Sequence, residues 1–416
     1  MTLIAWHHNT MRNLEPSEGL APFDGSQADQ VWRFHRSWPG YRPTPLRSLP
    51  ALATNWGLKT VLVKDESERW GLKAFKGLGG TYGVGRYLGK YYGIEPPGDF
   101  LTLKNHFFRK RPVIFATATD GNHGVGIAWA AKHLGHTAKI YMPRGSAPAR
   151  VEAIRKVGGE VKVTALDYDD TVEWVAAGAE KQGWVLMQDT SLGDGNQISQ
   201  WIMQGYMTLM AEHFLSNTDS PCDKPTHVIV QAGVGSFAAS VVAFLANLYG
   251  NEIPRVIVVE PTVTACLYDS ALVGDHKLYP HPSPQPTVMA GLACGVANPS
   301  AWEILRHWVT TFAACDDSVT ARGMRILGNP LQGDPRIVSG ESGAVGLGLL
   351  SLVMERPEYA QLREELELGA EARVLLFNTE GATDPAMYRR IAWDGYLGEF
   401  QPGVSQPPMP TAGWTE

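Results

Sequence analysis

A lysine between an aromatic residue and a run of glycines is the first place this chain could do covalent chemistry. The stretch reads Ala74-Phe75-Lys76-Gly77-Leu78-Gly79-Gly80, after Lys64-Asp65-Glu66-Ser67 and an apolar run at 60–63 that predicts a strand. The glycines carry no Cβ, so backbone there can approach something bulky. A lysine drawn partly out of water is expected to have a lowered pKa and a nucleophilic amine, suited to a Schiff base with an aldehyde. Alone, the stretch reads first as a surface lysine beside a flexible turn.

Two further turns join strand to helix. Thr119-Asp120-Gly121-Asn122-His123-Gly124 places an acid, an amide and an imidazole in four consecutive positions. Helix N-terminal amides suit a carboxylate, Asn122 can donate to a phenolic oxygen, and Asp120 can act as base or counter-ion. The bland alternative is Asp120 or Asn122 as an N-cap with His123 exposed. Gln231-Ala232-Gly233-Val234-Gly235-Ser236-Phe237-Ala238 follows a strand and opens a helix, a backbone cradle for a phosphate. Gly233, Gly235 and Ala238 also satisfy the GxGxxA dinucleotide fingerprint, with Glu260 ending the next strand. A nicotinamide enzyme therefore competes on this motif, as does a tight turn that binds nothing. Asp189-Thr190, Asn378-Thr379-Glu380-Gly381-Ala382-Thr383-Asp384 and Ser339-Gly340-Glu341-Ser342-Gly343-Ala344 are the remaining polar clusters at predicted element ends. Ser342 reads as part of a capped helix start.

The elements that must position these turns alternate regularly. Strands are predicted at 113–116, 138–142, 161–165, 184–188, 227–231, 256–260 and 373–377. Helices are predicted at 124–134, 147–157, 169–182, 198–214, 236–249, 300–309, 319–327 and 343–354. Short apolar runs alternating with helices mean β-α-β units and buried parallel sheets. Residues 1–40 read as irregular, 92–112 as a connection, and the proline-rich tail 401–416 as disordered. The expectation is an α/β chain of two doubly wound parallel-sheet domains with the active site in the cleft between them. The larger domain would comprise 1–90 with 205–416, the smaller 91–204.

At 416 residues the chain exceeds the usual size of a single core, and 44% hydrophobic with 19% charged residues is ordinary for a globular protein. A net charge of −6 and no extended Lys/Arg block argue against a nucleic-acid partner. Cys222, Cys266, Cys294 and Cys315 form no CxxC pair and read as reduced core thiols, with no metal site. The first eight residues lack the charged start of a signal peptide, and no apolar stretch reaches the roughly 18 residues of a membrane helix. A cytoplasmic protein with no membrane partner is expected.

Taken together, the motifs resemble the fold type II pyridoxal-phosphate enzymes of the tryptophan synthase β family, and within it the diaminopropionate ammonia-lyases. The strings that carry the resemblance include Gly40-Tyr41-Arg42-Pro43-Thr44-Pro45-Leu46, Ala74-Phe75-Lys76, Thr119 to Gly124, Tyr168-Asp169-Asp170-Thr171 and Gln188-Asp189-Thr190. They continue with Trp201 to Tyr206, Gln231 to Gly235, Met289 to Gly295, Ser339 to Gly343 and Thr379-Glu380-Gly381, so the likeness spans about 40–395. The resemblance implies pyridoxal 5'-phosphate held by Lys76 as the Schiff-base lysine, with Phe75 beside it and Asn122 next to the phenolic oxygen. Gly233, Val234, Gly235, Ser236 and Phe237 would surround the phosphate, and Thr379 would face the ring nitrogen. A neutral hydroxyl there suits elimination better than transamination.

The substrate implied is a small amino acid touched by Thr119, Asp120, His123 and Asp189, with Lys76, Asp120 and Asp189 catalytic. Its α-amine would displace Lys76, Asp120 or the freed Lys76 would take the Cα proton, and the β-amine would leave as ammonia. Hydrolysis of aminoacrylate would give pyruvate and a second ammonia. A homodimer is also implied. Related dehydratases usually carry Ser or Thr at the place of Asp120, and a carboxylate makes sense if the substrate has a second ammonium. Lys73, Asn378 and Ala382 depart from the family's usual Asn, Ser and Asp. Ser191-Leu192-Gly193-Asp194-Gly195-Asn196 replaces the usual Trp-Glu-Gly-Tyr. This loop predicts retuned substrate choice and leaves a dehydratase or β-replacement enzyme as the alternative.

Overall fold

The computed structural model describes residues 3–15, 18–94, 98–107, 111–190, 197–215 and 223–398. The expected tail 401–416, the 191–196 loop and Cys222 lie outside them. The apolar runs become strands β1 (Ile4–His8), β2 (Leu46–Ser48), β3 (Thr60–Asp65), β4 (Ile114–Ala118), β5 (Thr137–Met142) and β6 (Glu160–Val163). They continue as β7 (Val185–Leu186), β8 (His227–Gln231), β9 (Arg255–Pro261), β10 (Thr311–Cys315) and β11 (Arg373–Asn378). Seven strands form one sheet in the order β1-β10-β9-β8-β11-β3-β2, and four form another in the order β6-β5-β4-β7. Every residue of β8 and β10 is buried, as strands covered by helices on both faces must be. The chain is α/β with doubly wound sheets, as its alternation predicts.

The differences are local. The four-stranded sheet is wholly parallel, but β1 and β2 run antiparallel on the edges of the larger one. Residues 1–40 are therefore not irregular: besides β1 they hold a helix Gly25–Arg36, capped by Asp24 and buried through Ala28, Val31 and Phe34. The 92–112 connection likewise contains a helix, Phe100–Phe107, with Phe100 and Leu103 buried. The helix expected at 198–214 is two, Gln197–Tyr206 and Thr208–Phe214, interrupted at Met207. The strand expected at 184–188 shortens to β7, because beyond it the Gln188 side chain takes over. Its amide oxygen accepts from Ala118 N at 3.1 Å and its amide nitrogen donates to Ala118 O at 3.2 Å. Among the described residues no helix is long and apolar enough to cross a membrane, and no His, Cys, Asp or Glu group could hold a metal ion.

The glycines after Lys76 do not form a flexible turn. They lie in a helix, Lys76–Tyr92, whose sequence would be a poor helix alone, since each interior glycine costs about 1 kcal/mol relative to alanine. Close packing offsets that cost. A Cβ on Gly79 would lie 2.6 Å from the Tyr206 ring, and one on Gly80 2.7 Å from the carbonyl carbon of Gly126. One on Gly126 would lie 2.8 Å from Lys76 O, and one on Gly205 2.6 Å from Leu78 O. Helices 76–92, 122–133 and 197–206 thus meet backbone to backbone, and the bulky neighbour that the glycines admit is two other helices.

A second constraint is electrostatic. Lys64 Nζ meets Glu212 Oε2 at 2.5 Å, while Arg69 bridges Glu212 at 2.6 Å and Glu66 at 2.7 Å, all of them buried. Tyr41 donates to Glu212 at 2.6 Å. Two cations facing two carboxylates satisfy each other out of water, and they tie the extended entry around Tyr41 and Thr44 to the core.

The helix crossing can be tested directly. The atoms that a Cβ at position 80 would meet are backbone and cannot rotate away, so Gly80→Ala should lose about 1–3 kcal/mol of stability in urea unfolding. Gly178→Ala, in helix Tyr168–Gln182 with nothing within 4 Å, should be neutral or stabilising by up to about 1 kcal/mol. Equal responses at the two positions would contradict the account.

Candidate active site

Four chain turns converge where strands of both sheets end. Thr119 follows β4, and its hydroxyl accepts from Gly121 N at 2.9 Å and Gly124 N at 3.2 Å. Those bonds start helix Asn122–His133, which takes no side-chain cap from its N-cap residue Gly121. Neither Asp120 nor Asn122 is used as a cap, so both side chains are left to the cleft. Asp189 follows the Gln188 link, and its carbonyl accepts from Ser236 Oγ at 2.6 Å, itself held by Asn298 at 2.9 Å. Gly233 to Phe237 run from the end of β8 into helix Ser236–Tyr249, and Thr379 follows β11. Every residue expected to touch cofactor or substrate lines one cleft with an empty volume of about 680 Å³. These are Phe75, Lys76, Thr119, Asp120, Asn122, His123, Asp189, Gly233, Val234, Gly235, Ser236, Phe237 and Thr379.

Lys76 and Asp189 form an ion pair in which Nζ donates to Oδ2. Burial alone would depress the lysine, but the Asp189 charge outweighs it, helped by Tyr206 and Asp120, and the amine is held above the usual lysine range. The expected lowering therefore does not occur. For Asp189, burial opposes ionisation, yet Lys76 and then His123 bring the carboxyl down to about 2. Asp120 is shifted the other way, raised chiefly by burial. Of the three lysines near this stretch, Lys64 is committed to the buried charge cluster and Lys73 is exposed. Lys76 alone of the three faces the cleft.

The remaining side chains show what the cleft can hold. His123 is buried and donates from Nε2 to Met187 O at 2.7 Å, leaving Nδ1 3.9 Å from Asp189. Asn122 donates to Glu380 Oε2 at 2.6 Å, and Glu380 Oε1 accepts from Ser342 N at 3.0 Å. An amide nitrogen has two protons, so Asn122 keeps one for a ligand. Thr379 Oγ1 accepts from Gln231 Nε2 at 2.9 Å, which leaves its own proton free to donate. The first intrahelical bond of helix Ser236–Tyr249 runs from Ala239 N to Gly235 O, and its N-cap supplies no side-chain acceptor. The preceding amides are thus available to an anion at the positive end of the helix dipole. The Ser236 hydroxyl is already engaged, so its backbone N–H is what it offers. Phe75 packs against Phe237 and Tyr206 with ring centroids 4.5 and 4.8 Å apart and forms an aromatic wall. An anion cradle, a hydroxyl donor and a lysine amine around one aromatic wall fit a flat ring that carries a phosphate and an aldehyde.

Sequence reasoning placed none of Tyr168, Gln231, Cys294, Ser342 and Glu380 against cofactor or substrate, yet all five line the cleft. Ser342 is not a cap: helix Glu341–Glu355 has Gly340 as its N-cap, and Ser342 Oγ accepts from Gly291 N at 3.1 Å. The signal for Glu380 was its place directly after Thr379. Glu260, which a dinucleotide would need for its ribose, is buried outside the cleft. Its carboxylate accepts from Tyr268 N at 2.7 Å and Leu267 N at 3.0 Å, so the nicotinamide reading loses its acidic residue.

The profile of the family described as "Pyridoxal-phosphate dependent enzyme" matches residues 37–380. Diaminopropionate ammonia-lyase of Escherichia coli (strain K12) is 48% identical over 374 residues, covering 90% of this chain and 93% of that protein. The enzyme of that name from Salmonella typhimurium (strain LT2) is 44% identical over 400 residues, covering 94% and 98%. The crystal structure of the Escherichia coli enzyme in complex with D-serine superposes with a TM-score of 0.88 at 46% identity, covering 95% of this chain and 98% of that one. The chain belongs to the pyridoxal-phosphate-dependent enzymes and, within them, to the diaminopropionate ammonia-lyase family.

Proposed function

We propose that this protein uses pyridoxal phosphate to eliminate ammonia from 2,3-diaminopropionate, releasing an enamine that hydrolyses to pyruvate and a second ammonia. The observation that carries the reading is the pairing of Lys76 with Asp189, and the nearness of Asp120, beside the amide cradle of Gly233 to Phe237. Relatives that bear this activity by name, at 48% and 44% identity over nearly their full length, support it.

Bound pyridoxal phosphate supplies the electron sink for the pair left when the Cα–H bond breaks. Lys76 would hold it through the side-chain amine, and Asp189, in contact with that amine and held ionised, would stay an anion beside it. Gly233 to Phe237 would hold the phosphate with backbone N–H groups, and Asn122 would donate its second amide proton to the phenolic oxygen. Thr379 would offer its free hydroxyl proton to the ring nitrogen, and a neutral donor there keeps the electron sink modest and suits elimination better than transamination. The N-terminal amides of helix Asn122–His133 take the substrate carboxylate, walled by Thr119 and His123. Asp120 and Asp189 then draw the second ammonium to the side away from that carboxylate. Asp120 or the freed Lys76 removes the Cα proton according to the face presented, and the β-nitrogen leaves as ammonia.

The setting we infer is the cytoplasm, in keeping with the unpaired thiols of Cys266, Cys294 and Cys315. A homodimer is supported by the adjacent Leu272 and Val273, 57% and 58% exposed, an apolar patch that a second copy can cover.

Borohydride treatment of the purified holoenzyme should fix a pyridoxyl label on Lys76, and Lys76→Ala should abolish turnover. A label on Lys64 or Lys73 contradicts the assignment. Asp120→Asn should cost diaminopropionate about 1.5–3 kcal/mol more in kcat/KM than serine, as expected for one lost contact between charged groups. Equal losses on the two substrates would show that Asp120 does not recognise the second ammonium.

A further inference from the structure

Arg150, in helix Pro148–Lys156, is a cation that the mechanism above leaves unused. It is only 8% exposed, and its Nε has no partner. Its nearest carboxylates among the described residues lie at ion-pair distance: Asp120 Oδ2 is 3.7 Å from Nη1 and Glu341 Oε2 is 3.9 Å from Nη2. A guanidinium can donate five hydrogen bonds, and burying one without them is costly, so its place calls for a reason. The backbone is shaped to admit it. A Cβ on Gly121, at φ +149, would lie 3.2 Å from Arg150 Cδ, so the stem of the arginine packs against the turn that carries Asp120.

We propose that Arg150 is a positioning residue that keeps Asp120 an anion in the loaded enzyme, ready for the substrate's second ammonium; the inference rests on the role given to Asp120 above. Asp120 is faced by Lys76 from helix Lys76–Tyr92, Asp189 after β7, Glu380 after β11, Tyr168 at the start of helix Tyr168–Gln182, Cys294, the Ser342 hydroxyl beside Gly291, and Arg150 itself. Burial raises the Asp120 carboxyl, Arg150 and then Lys76 pull it down, and Glu380 and Asp189 push it up. Lys76 changes its bonding through the reaction, so Arg150 is the cation whose charge on Asp120 stays constant. Arg150 is shared, with the Glu380 charge bearing on it most, then Asp120 and Glu341, and of these Glu341 competes least near neutral pH. Neither of its carboxylate oxygens takes a hydrogen bond, and burial together with the Glu380 charge pushes its carboxyl up to about 8.

Removing Arg150 leaves Asp120 among acids, so its pKa rises and it stays neutral to higher pH. In the holoenzyme, Arg150→Gln should move the acid limb of kcat/KM for diaminopropionate upward by about 1–3 pH units. Serine turnover should fall by a smaller factor. Arg150→Lys, whose shorter side chain draws the charge back, should shift the limb the same way by less. It also decides the matter if the Gln variant does not fold, because an unmoved limb then overturns the proposal. Because Arg150 acts through Asp120, the double variant Arg150→Gln/Asp120→Asn should turn over diaminopropionate no more slowly than Asp120→Asn alone. Multiplying losses would mean a merely structural arginine and overturn the proposal. If Asp120→Asn does not discriminate between the substrates, the role of Asp120 fails and the proposal with it. If it does discriminate and the arginine variants leave the limb in place, only the proposal fails.

Discussion

Backbone contact between the helices that begin at Lys76 and Asn122 is the constraint on which the site depends. Gly126 sits against Lys76 O, and Gly80 against the backbone of Gly126. The first turn of one helix is therefore indexed on the first turn of the other without an intervening side chain that could adapt. One of these helices follows β3 of the seven-stranded sheet and the other follows β4 of the four-stranded sheet. Their crossing places the amine from one beside the acid and amide from the other. Reactive groups held by rigid elements need little reorganisation at the moment of reaction.

The electrostatics of the cleft follow from that placement. Lys76 and Asp189 stabilise each other's charged forms against a burial that opposes both. Asp120 lies in the same cleft with its proton held more tightly, because burial dominates there. Two carboxylates in one cleft thus have their affinities for protons pushed apart, a pattern that separates an anion from a proton-exchanging group. Phe75 and Phe237, backed by Tyr206, add apolar surface on one side, where a flat ring is expected to lie.

Much of this was legible in the sequence because the chemistry sits at strand ends, where a motif of four to eight residues carries its own geometry. The turns at 119–124 and 231–238 are of this kind, and their apolar strands and helix starts could be read locally. What was not legible depends on distant partners. The lysine's pKa was expected to fall because only burial could be inferred, whereas the Asp189 that reverses the shift lies 113 residues away. Arg150 reaches Asp120 only because the helix after β5 folds back beside the end of β4, and no pattern near Asp120 announces it. β1 and helix Gly25–Arg36 were missed because the strand has a single fully buried residue and the helix is polar over most of its surface.

The central claim is that one cleft breaks the bond from Cβ to an amine while a carboxylate holds the substrate's second charge. Its most direct test is to measure ammonia and pyruvate together as purified holoenzyme consumes 2,3-diaminopropionate, with serine and threonine in parallel. The account predicts two ammonia released for each pyruvate, and turnover of diaminopropionate well above that of either hydroxy amino acid. Faster release of 2-oxo acid from serine or threonine, or consumption of diaminopropionate without pyruvate, would contradict it.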